Sequence, residues 1–118
     1  MTAQEKVDII VATADEIKAE RIEVLNIREK SSVADFFVVC SGTSDRHVES
    51  IADRVEEALQ KKQVKPVRTG GERTGWVYQD YGDVVFHVMR EEQRQFYDLE
   101  ALWSSIEKSP DLSASPDV

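Results

Sequence analysis

The sequence predicts an α/β fold, one domain with a mixed sheet of about five strands flanked by helices. Three observations carry this. Apolar residues recur at spacings of three and four in the segments 7–17, 48–59 and 96–106, which marks helices with one buried stripe. Between them lie short runs rich in β-branched and aromatic residues, DFFVVC and VVFHVM among them. The order is one helix first, then strands interleaved with a second helix, then a third helix, as in a sheet with a crossover connection.

Along residues 2–19, Val7, Ile10, Val11, Ala14 and Ile17 share a helix face, with lysine and acidic residues between them. Residues 22–27 and 34–40 read as two strands joined by the polar link 28–32, and hence as an antiparallel pair. DFFVVC scarcely alternates, so it is expected as a central strand covered on both faces. Ser41-Gly42-Thr43-Ser44 ends that strand and supplies a helix cap at Thr43 or Ser44, and Val48, Ile51, Ala52, Val55, Ala58 and Leu59 carry the helix to about residue 62. After this crossover a short strand is expected at 65–68, parallel to the strand before the helix and near an edge because of Pro66. The glycine-rich stretch 69–75 reads as a loop. A hairpin follows, with Tyr81-Gly82 as its two-residue turn between Trp76-Val77-Tyr78 and Val84–Met89. Tyr81 is expected at the exposed tip. The last helix carries Phe96, Leu99, Leu102, Trp103 and Ile106, and the domain is taken as 1–108, with 109–118 (two prolines, three serines) as a flexible tail.

At 118 residues with 41% hydrophobic and 32% charged residues, the chain has the composition of one soluble core. No run approaches the ~20 apolar residues that cross a bilayer. Nor do the first residues show a signal or transit pattern, so a cytoplasmic protein is expected. The net charge of −8 disfavours a domain that grips phosphate backbones; it suits a basic partner, although in most acidic domains such charge serves solubility alone. Cys40, the single cysteine, ends an apolar run and reads as a small buried hydrophobe.

Catalytic chemistry finds little footing in these residues. The SGTS turn before a helix is a plain cap lacking the spacing of a phosphate-binding loop. A metal-dependent nucleotidyltransferase or nucleotide-binding domain, using Ser44, Asp80 and Asp83, is the second function class considered. It needs paired carboxylates on the strand after the crossover, and Val64-Lys65-Pro66-Val67-Arg68 has none. Asp80 and Asp83 flank a turn, where aspartate caps neighbouring amides. His87 shares a strand face with Val85 and Met89, and no spacing joins it to His47 and Cys40 as a metal site.

The ordered set ADFFVVCSGTSDRHVESIADRV, then GW, DYGDVVFHVM and FYDLEALW, resembles the ribosomal silencing factor family, also called Iojap-like, across residues 7–104. The resemblance implies a nucleotidyltransferase-like topology without its catalytic carboxylates, no enzymatic activity and no cofactor or metal. It implies a translational repressor that binds the large ribosomal subunit through its fourteenth protein, blocks joining of the small subunit and lowers translation under nutrient limitation. On this sequence the implied partner contacts are Trp76, Asp80, Tyr97 and Glu100, supported by His87 and Arg94. It also implies a homodimer, for which the aromatic residues supply surface. Two positions depart from the family pattern: Thr69 precedes Gly70 where an acidic residue is usual, and Gln79 stands where aliphatic residues are usual.

Overall fold

A computed structural model describes residues 1–29, 32 and 34–96. The first helix, α1 (Ala3–Glu16), begins at a capping box. Thr2 Oγ1 accepts from the Glu5 amide at 3.1 Å while Glu5 Oε1 accepts from the Thr2 amide at 2.9 Å, which satisfies donors that the first helical turn leaves open. Val7, Ile10 and Ala14 form its buried stripe, as their spacing requires.

Strands β1 (Glu20–Asn26) and β2 (Phe36–Gly42) pair antiparallel, and every residue of β2 is buried. The unalternating DFFVVC run has this cause: its odd and even residues both meet packed side chains. Helix α2 (Asp45–Gln60) starts at Ser44, whose hydroxyl accepts from the His47 amide at 3.1 Å. The chain then crosses to the far edge, forms β3 (Arg68–Gly70), and returns through β4 (Trp76–Asp80) and β5 (Val84–Arg90) into α3 (Glu91–Phe96).

The five strands lie in the order β1-β2-β5-β4-β3, with β2 and β5 parallel and every other neighbouring pair antiparallel. β3 therefore runs in the direction of β2, as expected, with two strands between them. Two sequence expectations shift. The edge strand falls at Arg68–Gly70, so Thr69 and Gly70 leave the expected loop. Pro66 precedes it, and the Val67 amide makes the first contact, donating to the Asp80 carbonyl at 2.7 Å.

The hairpin turn also moves by one residue. The Tyr81 amide donates to the Val84 carbonyl at 2.8 Å, so Gly82 and Asp83 occupy the turn and Gly82 takes the positive φ of 90°. Tyr81 is thus not an exposed tip: it is 4% exposed. Its hydroxyl donates to Gln79 Oε1 at 2.7 Å, and Gln79 Nε2 donates to the Ala52 carbonyl of α2 at 2.8 Å. A glutamine at a buried aliphatic position is tolerated because both ends of its amide are satisfied.

Both α1 and α2 cover one face of the sheet, packing on Phe36, Val38, Cys40, Val84, Phe86 and Val88. The opposite face carries Phe37, Val39, Val85 and Met89, with Leu25 and Trp76 packed at its margins. The expected stripe of the last helix continues past Phe96, and with the expected tail it lies outside the described residues.

Candidate functional site

Register assembles the site on the face away from α1 and α2. Trp76 opposes Met89, Tyr78 opposes His87 and Asp80 opposes Val85, so Trp76, Tyr78 and Asp80 form one row along β4. His87 sits in the adjoining row of β5. Its ring centroid lies 5.0 Å from that of Phe37, 6.1 Å from Trp76 and 6.4 Å from Tyr78. Trp76 Nε1 donates to His87 Nδ1 at 3.2 Å, which fixes the imidazole proton on Nε2. Among the described residues Nε2 has no hydrogen-bond partner. Burial among rings pushes the His87 pKa down to about 4, because the charged form loses its water there.

Tyr78 was not among the sequence-derived site residues, although it lies two residues from both Trp76 and Asp80, the spacing of a shared strand face. Its ring lies against Gly70 of β3: a Cβ there would stand 2.5 Å from Tyr78 Cε1. The Thr69-Gly70 pair is therefore part of the site's frame, with the glycine giving the tyrosine room to lie flat across the edge strand.

Asp80 faces the same side, and its carboxylate is engaged within the chain. Oδ1 accepts from the Gly82 amide at 2.8 Å and Oδ2 lies 3.5 Å from Arg68 Nε, so Asp80 ties the hairpin turn to the edge strand. Arg94 sits at the other end of the face, 3% exposed. Its guanidinium donates to Ser41 Oγ at 3.0 Å and Glu23 Oε1 at 2.8 Å, and to the Arg21 carbonyl. Arg21 has φ 50° at a bulge in β1, and that local turn of the backbone presents its carbonyl to Arg94. Trp76, Asp80, His87 and Arg94 thus share one face, with Asp80 and Arg94 held by intramolecular bonds. Tyr97 and Glu100 lie outside the described residues.

The nucleotidyltransferase constellation is not brought together. Ser44 follows the end of β2 where Gly42 pairs with Arg90, whereas Asp80 and Asp83 lie at the opposite end, where Phe36 pairs with Val84. Six residue steps separate those ends, roughly 20 Å of strand. Asp83 is paired with Lys6 Nζ at 2.7 Å. At the start of α2 the Thr43 amide donates to His47 Nδ1 at 2.9 Å, and His47 Nε2 bonds the Ile17 carbonyl at 2.8 Å, so the helix start is capped from within. Among the described residues no three His, Cys, Asp or Glu side chains gather to hold a metal ion, and no helix is long and apolar enough to cross a membrane.

These features define a small acidic α/β domain whose mixed five-stranded sheet has two helices on one face and an aromatic row on the other. A family model described as "ribosomal silencing factor during starvation" matches residues 1–117. The chain belongs to the ribosomal silencing factor family. It is 38% identical over 104 residues to the ribosomal silencing factor of Halalkalibacterium halodurans, an alignment spanning 87% of this chain and 89% of that one. To the factor of Bacillus subtilis it is 39% identical over 97 residues, 80% of this chain and 81% of that one. A crystal structure of a Chromobacterium violaceum protein superposes with a TM-score of 0.83 at 34% identity, covering 88% of each chain.

Proposed function

We propose that this protein represses translation by docking on the large ribosomal subunit through that subunit's fourteenth protein and sterically blocking the small subunit, without chemistry of its own. The observation that carries the reading is the row Trp76–Tyr78 on β4, two half-buried aromatic side chains at the margin of the sheet face opposite α1 and α2. Aromatic anchors of this kind supply most of the energy of protein interfaces, with charged groups at the rim. Family membership and the charge of −8 support it further, since an acidic domain is repelled by bare RNA and attracted to a basic ribosomal protein. Tyr97 and Glu100 complete the proposed contact set with Trp76. His87 orients the Trp76 indole, while Asp80 and Arg94 hold the ends of the face.

The setting is the cytoplasm, where the factor lowers translation when nutrients are scarce. The functional unit is proposed as residues 1–108, followed by a C-terminal tail at 109–118. A homodimer is part of the reading, and a monomeric mass by light scattering at micromolar concentration would remove it.

The direct test is capture of the isolated fourteenth protein of the large subunit by the immobilised full chain. Retention that falls at least about tenfold in Trp76→Ala supports the partner and the surface together. No retention of that protein by the wild type rejects the partner.

A further inference from the structure

The two edges of the sheet differ. β3 is three residues long and preceded by Pro66, two features that blunt an edge against pairing. β1 is seven residues long, bulged only between Glu20 and Glu23, with a regular stretch at 23–26 whose outer backbone groups no strand pairs among the described residues. Beside that edge runs an open groove of about 660 Å³ between α1 and β1, with Val7, Val11, Ile22 and Val24 along it and Asp8 and Asp15 on its helical wall. Val24 is 44% exposed, its apolar side chain forming part of the groove's outer wall. Neither carboxylate pairs with a cation among the described residues; Asp8 is met only by Gln4 Nε2 at 2.9 Å.

We infer that the free edge of β1 and this groove take up an extended basic segment of a protein partner, of the pattern Lys/Arg-x-apolar-x-Lys/Arg, as an added antiparallel strand. Alternate residues of such a strand face α1. The central apolar side chain enters the groove against Val11 and Val24, and the two cations, roughly 14 Å apart at strand spacing, reach Asp8 and Asp15, which stand two helical turns or roughly 11 Å apart. Charge also decides against a second copy of this chain. Antiparallel pairing of two β1 edges about a two-fold axis brings both α1 helices to the same face with Asp8 and Asp15 of each opposed, inside a dimer of two chains of net charge −8. This edge is three strands from β4 in the sheet order, so the inference stands apart from the docking role of Trp76.

The test is hydrogen exchange of the full chain, followed by NMR, with the peptide TKTVTKT. The expected result is added protection of the outward amides within 23–26, absent with a peptide N-methylated at alternate residues. Affinity weakens about tenfold in a folded Asp8→Lys, Asp15→Lys variant, the combined effect of two exposed ion pairs. Trp76→Ala leaves it unchanged. Absence of protection at millimolar peptide overturns the inference, as does equal binding by the methylated peptide or by the charge-reversed variant. Protection that rises with protein concentration alone shows self-pairing and overturns it as well.

Discussion

The indole N–H of Trp76 donates to Nδ1 of His87 at 3.2 Å across the β4–β5 pair, binding an aromatic side chain at the margin of the sheet to a histidine inside it. The bond selects the tautomer of His87 and holds the orientation of Trp76. Because a protonated Nδ1 cannot accept, the geometry requires a neutral imidazole, in keeping with a pKa pushed down to about 4 by burial.

The first prediction concerns pH. The folded pKa of His87 lies below that of an unfolded histidine, about 6.5, so the unfolded chain binds the extra proton first. The stabilisation is complete above about pH 6.5 and is lost progressively as pH falls toward 4. Its ceiling is roughly 3 kcal/mol, since each tenfold difference in proton affinity between the folded and unfolded chain is worth about 1.36 kcal/mol. Urea unfolding at pH 7.5 and pH 5 should show a larger loss of stability for the wild type than for His87→Gln, since both share every other titrating group. Equal losses would show that His87 does not titrate between the two states.

Arg94 is expected to hold β1 to the end of the sheet face. Arg94→Ala leaves Ser41 Oγ and the Arg21 carbonyl without their donor and Glu23 without its cation. The expected loss is roughly 2–3 kcal/mol in chemical denaturation, below the full cost of breaking a buried pair because Glu23 is 41% exposed. Arg94→Lys should recover little of it, since one ammonium cannot reproduce the forked contacts. A loss under about 0.5 kcal/mol would show that the network contributes nothing to folding.

Gly70→Ala is expected to displace the Tyr78 ring, for the added Cβ has nowhere to go while that ring stays in place. The cost, on the order of 1–3 kcal/mol, should fall when Tyr78→Ala is already present, because the clash is then gone. A double-mutant cycle by thermal unfolding measures that coupling. Additive effects would place the strain elsewhere.

Much of the architecture is readable from local pattern. The periodic stripes of α1 and α2, the unalternating run of β2 and the glycine of the hairpin each follow from a few adjacent residues. What escapes local pattern depends on distant partners. β3 sits at 68–70 rather than 65–68 because Asp80, Gln79 and Tyr78 of β4 dictate its register, and three residues carry too little preference to oppose them. Tyr81 is buried because Gln79 accepts its hydroxyl, and Gln79 is buried because a carbonyl 27 residues earlier accepts from it. Arg94 meets side chains 53 and 71 residues away, beyond anything its own helix reveals. Tyr78 is the reverse case. Its alternation with Trp76 and Asp80 is plain in the sequence, yet its ring acquires meaning only once Gly70 is seen beneath it.

The central claim is that the Trp76 face docks on the large subunit and keeps the small one away. It is tested most directly by mixing isolated large subunits with the wild type or with a folded Trp76→Ala, Tyr97→Ala variant, adding small subunits, and separating free subunits from joined ribosomes on a gradient. The account predicts that the wild type co-sediments with large subunits and holds the subunits apart, while the variant does neither. Joining that proceeds unhindered with the wild type present in excess would contradict it.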